Sequence, residues 1–137
     1  MIRIARHALV VTTGVVGLIG PAIAAEMTGA EIKAFLSDKT AYLETTAASA
    51  AGVAGQVVIY WGKDGTALYR TPSGTIMHGK WETKGNTNCT EWKERPGTGC
   101  VRYDKAGDIV TVIDATSGAT RAKIVKTAPG NAEKLAP

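Results

Sequence analysis

The sequence predicts a mainly β protein, a small antiparallel meander barrel or sandwich of about seven to eight strands, with one short N-terminal helix. Three observations carry this. Turn signals recur about every 8–12 residues from Gln56 onward, with short β-branched and aromatic runs between them. The connections are too short for parallel crossovers, which excludes a nucleotide-binding α/β fold. One capping-box signature, at Thr28, marks the single good helix.

The chain opens with a basic segment (Arg3, Arg6, His7), an uncharged run from Ala8 to Gly20, and then Pro21 and Ala22-Ile23-Ala24. This is the layout of a signal peptide over residues 1–24. The run is shorter than the roughly 20 residues that span a bilayer, so no integral membrane segment is expected after cleavage. Residues 25–137 then form one β-rich domain, in a periplasmic or secreted location. The full chain has 16 Lys and Arg against 12 Asp and Glu. The leader removes two of those cations and no acid, leaving a nearly balanced chain with singly scattered charges. Such a chain is not expected to bind nucleic acid.

The elements follow in order. Thr28 and Glu31 have the spacing of a reciprocal cap, with Met27 and Ile32 as a hydrophobic staple, for a helix over 28–37. Its apolar stripe (Ile32, Phe35, Leu36) must dock on a sheet, because so short a helix does not persist alone. Thr40–Thr45 reads as a first strand. The alanine-rich stretch 46–55 has neither period nor charge and is expected to be a flexible loop. Val57–Trp61 and Thr66–Arg70 flank an Asp-Gly turn, a strong hairpin signal. Strands over Thr75–Thr83, around Cys89, at Cys100–Tyr103, over Ile109–Asp114 and over Ala119–Thr127 complete the meander, with 128–137 as a tail.

The segment from Gly79 to Tyr103 holds both cysteines and two of the three tryptophans. Arg95-Pro96-Gly97-Thr98 reads as a turn that sets Cys89 and Cys100 on adjacent strands. In an exported chain this pair is expected to be a structural disulfide. The spacing fits neither zinc, which would need more ligands than the lone mature histidine His78 supplies, nor a Cys-x-x-Cys redox site.

Signatures of chemistry are sparse. His78 has no second histidine and no haem-attachment motif beside it, and Met77 and His78 should face opposite sides of a strand. The aspartates sit mostly at turns, where Asp serves local hydrogen bonding. Serines 49, 73 and 117 lack a nucleophile elbow. No catalytic residue, metal ligand or cofactor is expected. The aromatics of the strands offer a ligand pocket or a barrel core, and Trp61, Tyr69, His78, Trp81 and Trp92 form the candidate ligand or partner surface. Gly79-Lys80-Trp81 resembles the Gly-x-Trp of lipocalin-like barrels.

The order AEMTGAEIKAFLSDKTAY, a WGKDGT hairpin, GKW, two cysteines flanking a tryptophan and a turn, and a final APGNAEKL resembles the small exported bacterial proteins grouped as domain of unknown function 995. The likeness covers essentially the mature chain; the alanine-rich insert before Gln56 departs from it. The resemblance implies a Gram-negative periplasmic protein and a compact β-rich domain, and brings no catalytic residues. The function expected is therefore a non-catalytic binding module for a small apolar ligand or an envelope protein partner. The alternative is a carboxylate-based periplasmic hydrolase.

Overall fold

Alternating inward and outward side chains roll the meander into a closed barrel. The computed structural model describes residue 17 and residues 20–137; the expected leader lies, but for its last residues, outside them. The elements are β1 (Ala25–Glu26), α1 (Gly29–Leu36), β2 (Lys39–Thr45), β3 (Gly55–Trp61), β4 (Thr66–Arg70), β5 (Ile76–Lys84), β6 (Thr87–Trp92), β7 (Arg95–Ala106), β8 (Ile109–Asp114) and β9 (Thr120–Pro129). From β2 to β9 each strand pairs antiparallel with the next, and β9 pairs back onto β2. This is an eight-stranded up-and-down barrel, not a sandwich. The ninth strand, β1, was not foreseen: it extends the sheet beside β7, with Ala25 opposite Lys105 and Glu26 opposite Asp104.

The strand period of two sends Val57, Ile59 and Trp61 of β3, Ala67 and Tyr69 of β4, Met77 and Trp81 of β5, and Val110 and Val112 of β8 into one interior cluster. An eight-stranded barrel is wide enough for these side chains or for one small ligand.

Helix α1 plugs one end. Its capping box is complete: the Glu31 amide donates to Thr28 Oγ1, and the Thr28 amide donates to Glu31 Oε2 at 2.7 Å. Ile32 and Leu36 are fully buried against the barrel core. The helix starts with glycine for a steric reason. A Cβ at Gly29 would lie 2.0 Å from the Gly85 carbonyl oxygen, in the β5–β6 turn, whose Asn86 Oδ1 accepts the Gly29 amide.

The central hairpin differs from expectation. β6 and β7 are joined at Lys93-Glu94, not at Arg95–Thr98, and Pro96 and Gly97 belong to β7. The register slips there, with Glu91 opposite Thr98 but Trp92 opposite Arg95. A bulge tolerates a residue without an N–H, and Gly97 supplies a φ of 103° that other residues resist. Beyond the bulge Cys89 faces Cys100 directly, and the two sulfurs are bonded. Closing this loop should contribute about 2–3 kcal/mol. Reduction, or the double Cys→Ser variant, is expected to lower the thermal midpoint by on the order of 10 °C. Differential scanning calorimetry with and without reductant checks this; an unchanged midpoint would contradict it.

The tail does not trail. Leu135 packs over Val58 and Leu68 on the outside of β3 and β4. Thr40 Oγ1 holds its start, donating to the Gly130 carbonyl at 2.6 Å and accepting from the Ala132 amide at 2.9 Å. Glu133 accepts from the Tyr42 hydroxyl and from Arg70.

Candidate functional site

The barrel is not filled to its open end. A cavity of about 320 Å³ lies between the aromatic core and the end opposite α1. Its apolar wall comes from Leu43, Ile59, Val101 and Val112, and its aromatic wall from Trp61, Tyr69 and Trp92. The rings brace one another: Tyr69 meets Trp92 edge-on at 5.5 Å, and Trp61 lies 6.4 Å from Trp92. The space exists because β7 turns Gly97 and Gly99 inward, on the same face as Val101 and Tyr103, and a glycine leaves nothing behind it.

The rim is built by the 46–54 segment, Arg95 and Arg121. That segment, expected to be a flexible loop, is here a set of hydrogen-bonded turns. The Ser49 amide donates to Thr46 at 3.1 Å, the Gly52 amide to Ser49 at 2.8 Å, and the Ser49 hydroxyl to Val53 at 2.9 Å. Ser49 is buried at the rim, and Arg95 Nη1 donates to the Ala50 carbonyl.

Several polar groups are enclosed. Burial pushes the Tyr69 phenol up, with the Ser49 side chain and the Arg95 charge opposing. Its hydroxyl still lacks a partner of hydrogen-bond geometry, as do Trp61 Nε1 and Arg121 Nε. Deeper, burial raises Tyr103 to about 12 against the opposing hydrogen bond from Asn88 Nδ2.

Asp114 holds the rim from behind. The Ser117 amide, the Arg121 guanidinium and the Thr116 amide all donate to its carboxylate, and its pKa falls to about 2 against partial burial. The folded pKa lies below the ordinary 3.8, so the stabilisation is present above about pH 4 and lost as pH falls through about 2. Discounted for exposure, it is worth about 1–2 kcal/mol. Asp114→Asn should therefore unfold at lower urea than the parent at pH 6, with the gap closing near pH 2; a gap that persists at pH 2 would contradict this.

The structure brings Trp61, Tyr69 and Trp92 into one cavity. Trp81 is interior but sits beneath it, edge-on to Trp61 at 5.7 Å, with its Nε1 donating to the Gly62 carbonyl at 2.8 Å. His78 is elsewhere, on the outer face, where its Nδ1 lies 2.8 Å from Glu94 Oε1. It shares no site with the three aromatics, because it has the opposite strand parity from Met77. Arg121 and Gly99 were not singled out from the sequence, Ser49 was weighed only as a nucleophile, and Gly97 only as a turn residue. Gly97 and Gly99, two apart in a strand, were the available signal, hidden because Gly97 was read as part of the Arg95–Thr98 turn and Gly99 fell between that turn and the strand at Cys100.

The carboxylates do not assemble. Asp64 accepts from the Thr66 amide in the β3–β4 turn, Asp38 from the Tyr60 hydroxyl, and Asp104 lies 3.8 Å from Arg102 on β7. Among the described residues, the lining of the cavity contains no carboxylate. Among the described residues, no group of three or more His, Cys, Asp or Glu is placed to hold a metal ion.

No protein-family model, curated protein or solved structure matches the chain. The resemblance to domain of unknown function 995 rests on the order of short motifs alone.

Proposed function

We propose that the protein is an exported, non-catalytic binding module that holds one small, largely apolar ligand inside its barrel. The observation that carries this reading is the unfilled, aromatic-walled cavity in an otherwise densely packed interior. Pockets of this size and composition, with a few fixed polar groups, are the usual form of small-molecule sites. Protein interiors are otherwise close-packed, and this space, open at the rim, lies on the inward face of the barrel against aromatic rings.

An envelope protein partner has less support. Among the described residues the exposed large apolar side chains are Ile23, Val53, Ile109 and Val125, and of these only Ile109 and Val125 lie on neighbouring strands, side by side, which makes a patch of two residues. The hydrolase reading needs two carboxylates at one mouth, and no observation favours it. Export is supported by the basic-then-apolar leader and by the Cys89–Cys100 bond. It is further supported by the exposed 20–24 stretch, which ends where β1 begins.

The test is a titration with N-phenyl-1-naphthylamine, an apolar dye that brightens when it leaves water. All three tryptophans lie in the barrel interior, so their emission should change along the same curve. Saturable binding at one dye per protein is expected. A linear, non-saturating response would overturn the proposal.

A further inference from the structure

The segment over 46–54 does more than connect β2 to β3. It leaves the barrel wall at one strand and returns at the next, yet its tip is bonded to Arg95 at the start of β7. β7 lies four strands from β3 in either direction around the ring, the farthest point of an eight-stranded wall. The segment therefore reaches across the mouth of the cavity, where Ser49 and Ala50 join the lining. The other connections at that end, over 71–75, 93–94 and 115–119, are shorter.

The two sides of this crossing are held unequally. Arg95 follows the β6–β7 turn, and that turn is pinned to β5. The Lys93 amide donates to the His78 carbonyl at 2.8 Å, and the His78 amide donates to Glu94 Oε2 at 2.8 Å. The pairing of His78 with Glu94 on the outer face thus fixes the post from which Arg95 extends. The crossing segment is held lightly. It carries no side chain larger than valine, Val53 is exposed, and its contribution to the core is Ala50 and Ala51. The turns at Ser49 and Gly52 bond within the segment and keep it one body. At its base Thr46 Oγ1 donates to the Thr120 carbonyl at 2.7 Å. Gly55, at a φ of 147° that other residues rarely adopt, supplies a pivot where the chain rejoins the wall. Among the described residues, one hydrogen bond joins the tip to the far wall, from Arg95 Nη1 to the Ala50 carbonyl. The same guanidinium lies against Gly52, where a Cβ would come within 3.2 Å of Nη1. Small apolar burial and a single bond across the mouth mark an element that opens locally while the rest stays folded.

We propose that residues 46–54 form a hinged lid over the cavity, latched by Arg95, and that release of this latch sets how fast ligand enters and leaves. The inference rests on the reading of the cavity as a ligand site. Lids of this kind gate exchange without taking part in the affinity of the closed site. A latch that holds with and without ligand slows both directions, so its loss speeds entry and exit together. An arginine that only gripped the ligand would slow exit and leave entry alone.

The experiment is stopped-flow binding of N-phenyl-1-naphthylamine to the mature protein and to Arg95→Met, which keeps the length of the side chain and removes its donors. Association and dissociation are both expected to quicken by roughly fivefold, the scale of one lost hydrogen bond. Arg95→Lys, which keeps a cationic donor, should restore rates close to those of the parent. Hydrogen exchange of Arg95→Met, which needs no ligand, should quicken at the Ser49 and Gly52 amides and stay unchanged over β3. Saturable dye binding with unchanged rates would overturn the lid and leave the ligand site standing. Faster dissociation alone would make Arg95 a ligand contact, and faster rates with unchanged exchange at Ser49 and Gly52 would make its side chain the obstruction; either overturns the lid. A dye that fails to bind the parent protein would overturn the ligand site, whatever the exchange measurement shows of the latch.

Discussion

Gly99→Leu is expected to abolish binding of N-phenyl-1-naphthylamine, weakening it at least a hundredfold, while the barrel stays folded. Gly99 lies on the inward face of β7, across from Thr90, and lines the cavity. A Cβ there would come within 3.3 Å of Arg121 Nη1, a side-chain atom that can shift a few tenths of an ångström. The backbone presents no obstacle, since Gly99 is not among the residues with positive φ. The rest of a leucine side chain would extend into the cavity and push aside the Arg121 guanidinium that lines it. Overpacking a full core costs about 1–3 kcal/mol, but filling a void adds contacts and should cost less than that. Loss of binding with little or no loss of stability is the signature of a ligand site rather than of core. Retained dye affinity in a folded Gly99→Leu variant would show that the dye binds elsewhere.

Ile32→Ala is expected to destabilise the protein by about 2–5 kcal/mol, the range for truncating a fully buried isoleucine. Ile32 has no exposed surface and joins α1 to the cluster that contains Met27, Trp61 and Trp81. An eight-residue helix has no stability of its own, so the plug and the barrel should lose structure together. Urea unfolding followed by near-ultraviolet circular dichroism, which reports the packed tryptophans, and by far-ultraviolet circular dichroism should give one coincident transition at lower urea. Separate transitions, or a loss under about 1 kcal/mol, would mean that α1 is an appendage and not the floor of the barrel.

These two sites also show where the sequence was readable. The helix was legible because its determinants are local: Thr28 and Glu31 bond to each other, and Met27, Ile32 and Leu36 announce one buried face. The strands were legible for the same reason, through Asp-Gly and other turn signals between β-branched runs. Closure of β9 onto β2 was not, since no local signal distinguishes a closing edge from a free one. β1 escaped notice because two residues carry no periodicity.

The cavity was half legible. Trp61, Tyr69 and Trp92 were among the candidates named from the strands, but the register of β7 depends on a bulge that only the paired strand reveals. Reading Pro96-Gly97 as the turn moved the hairpin tip by about three residues and hid Gly97 and Gly99 from the interior. Arg121 was invisible for a related reason. It sits at the β9 irregularity, where Val112 pairs with Ala122 and Ile113 with Thr120, so strand alternation fails at that residue. His78 was grouped with the aromatics on composition, and the barrel wall separates them. The docking of the tail over 128–137 was not legible because its hydrogen-bonding partners, Thr40, Tyr42 and Arg70, lie far back in the chain.

The claim on which the account depends is that the barrel interior is a ligand site. Native mass spectrometry of the mature protein, purified gently from cells that export it, tests this most directly. The account predicts a discrete extra mass, one small molecule per chain, that leaves on mild denaturation, from a chain two hydrogens lighter than its reduced form. It also predicts that Gly99→Leu prepared in the same way carries no such mass. A bare wild-type chain under the gentlest conditions, or an adduct carried equally by Gly99→Leu, would contradict it.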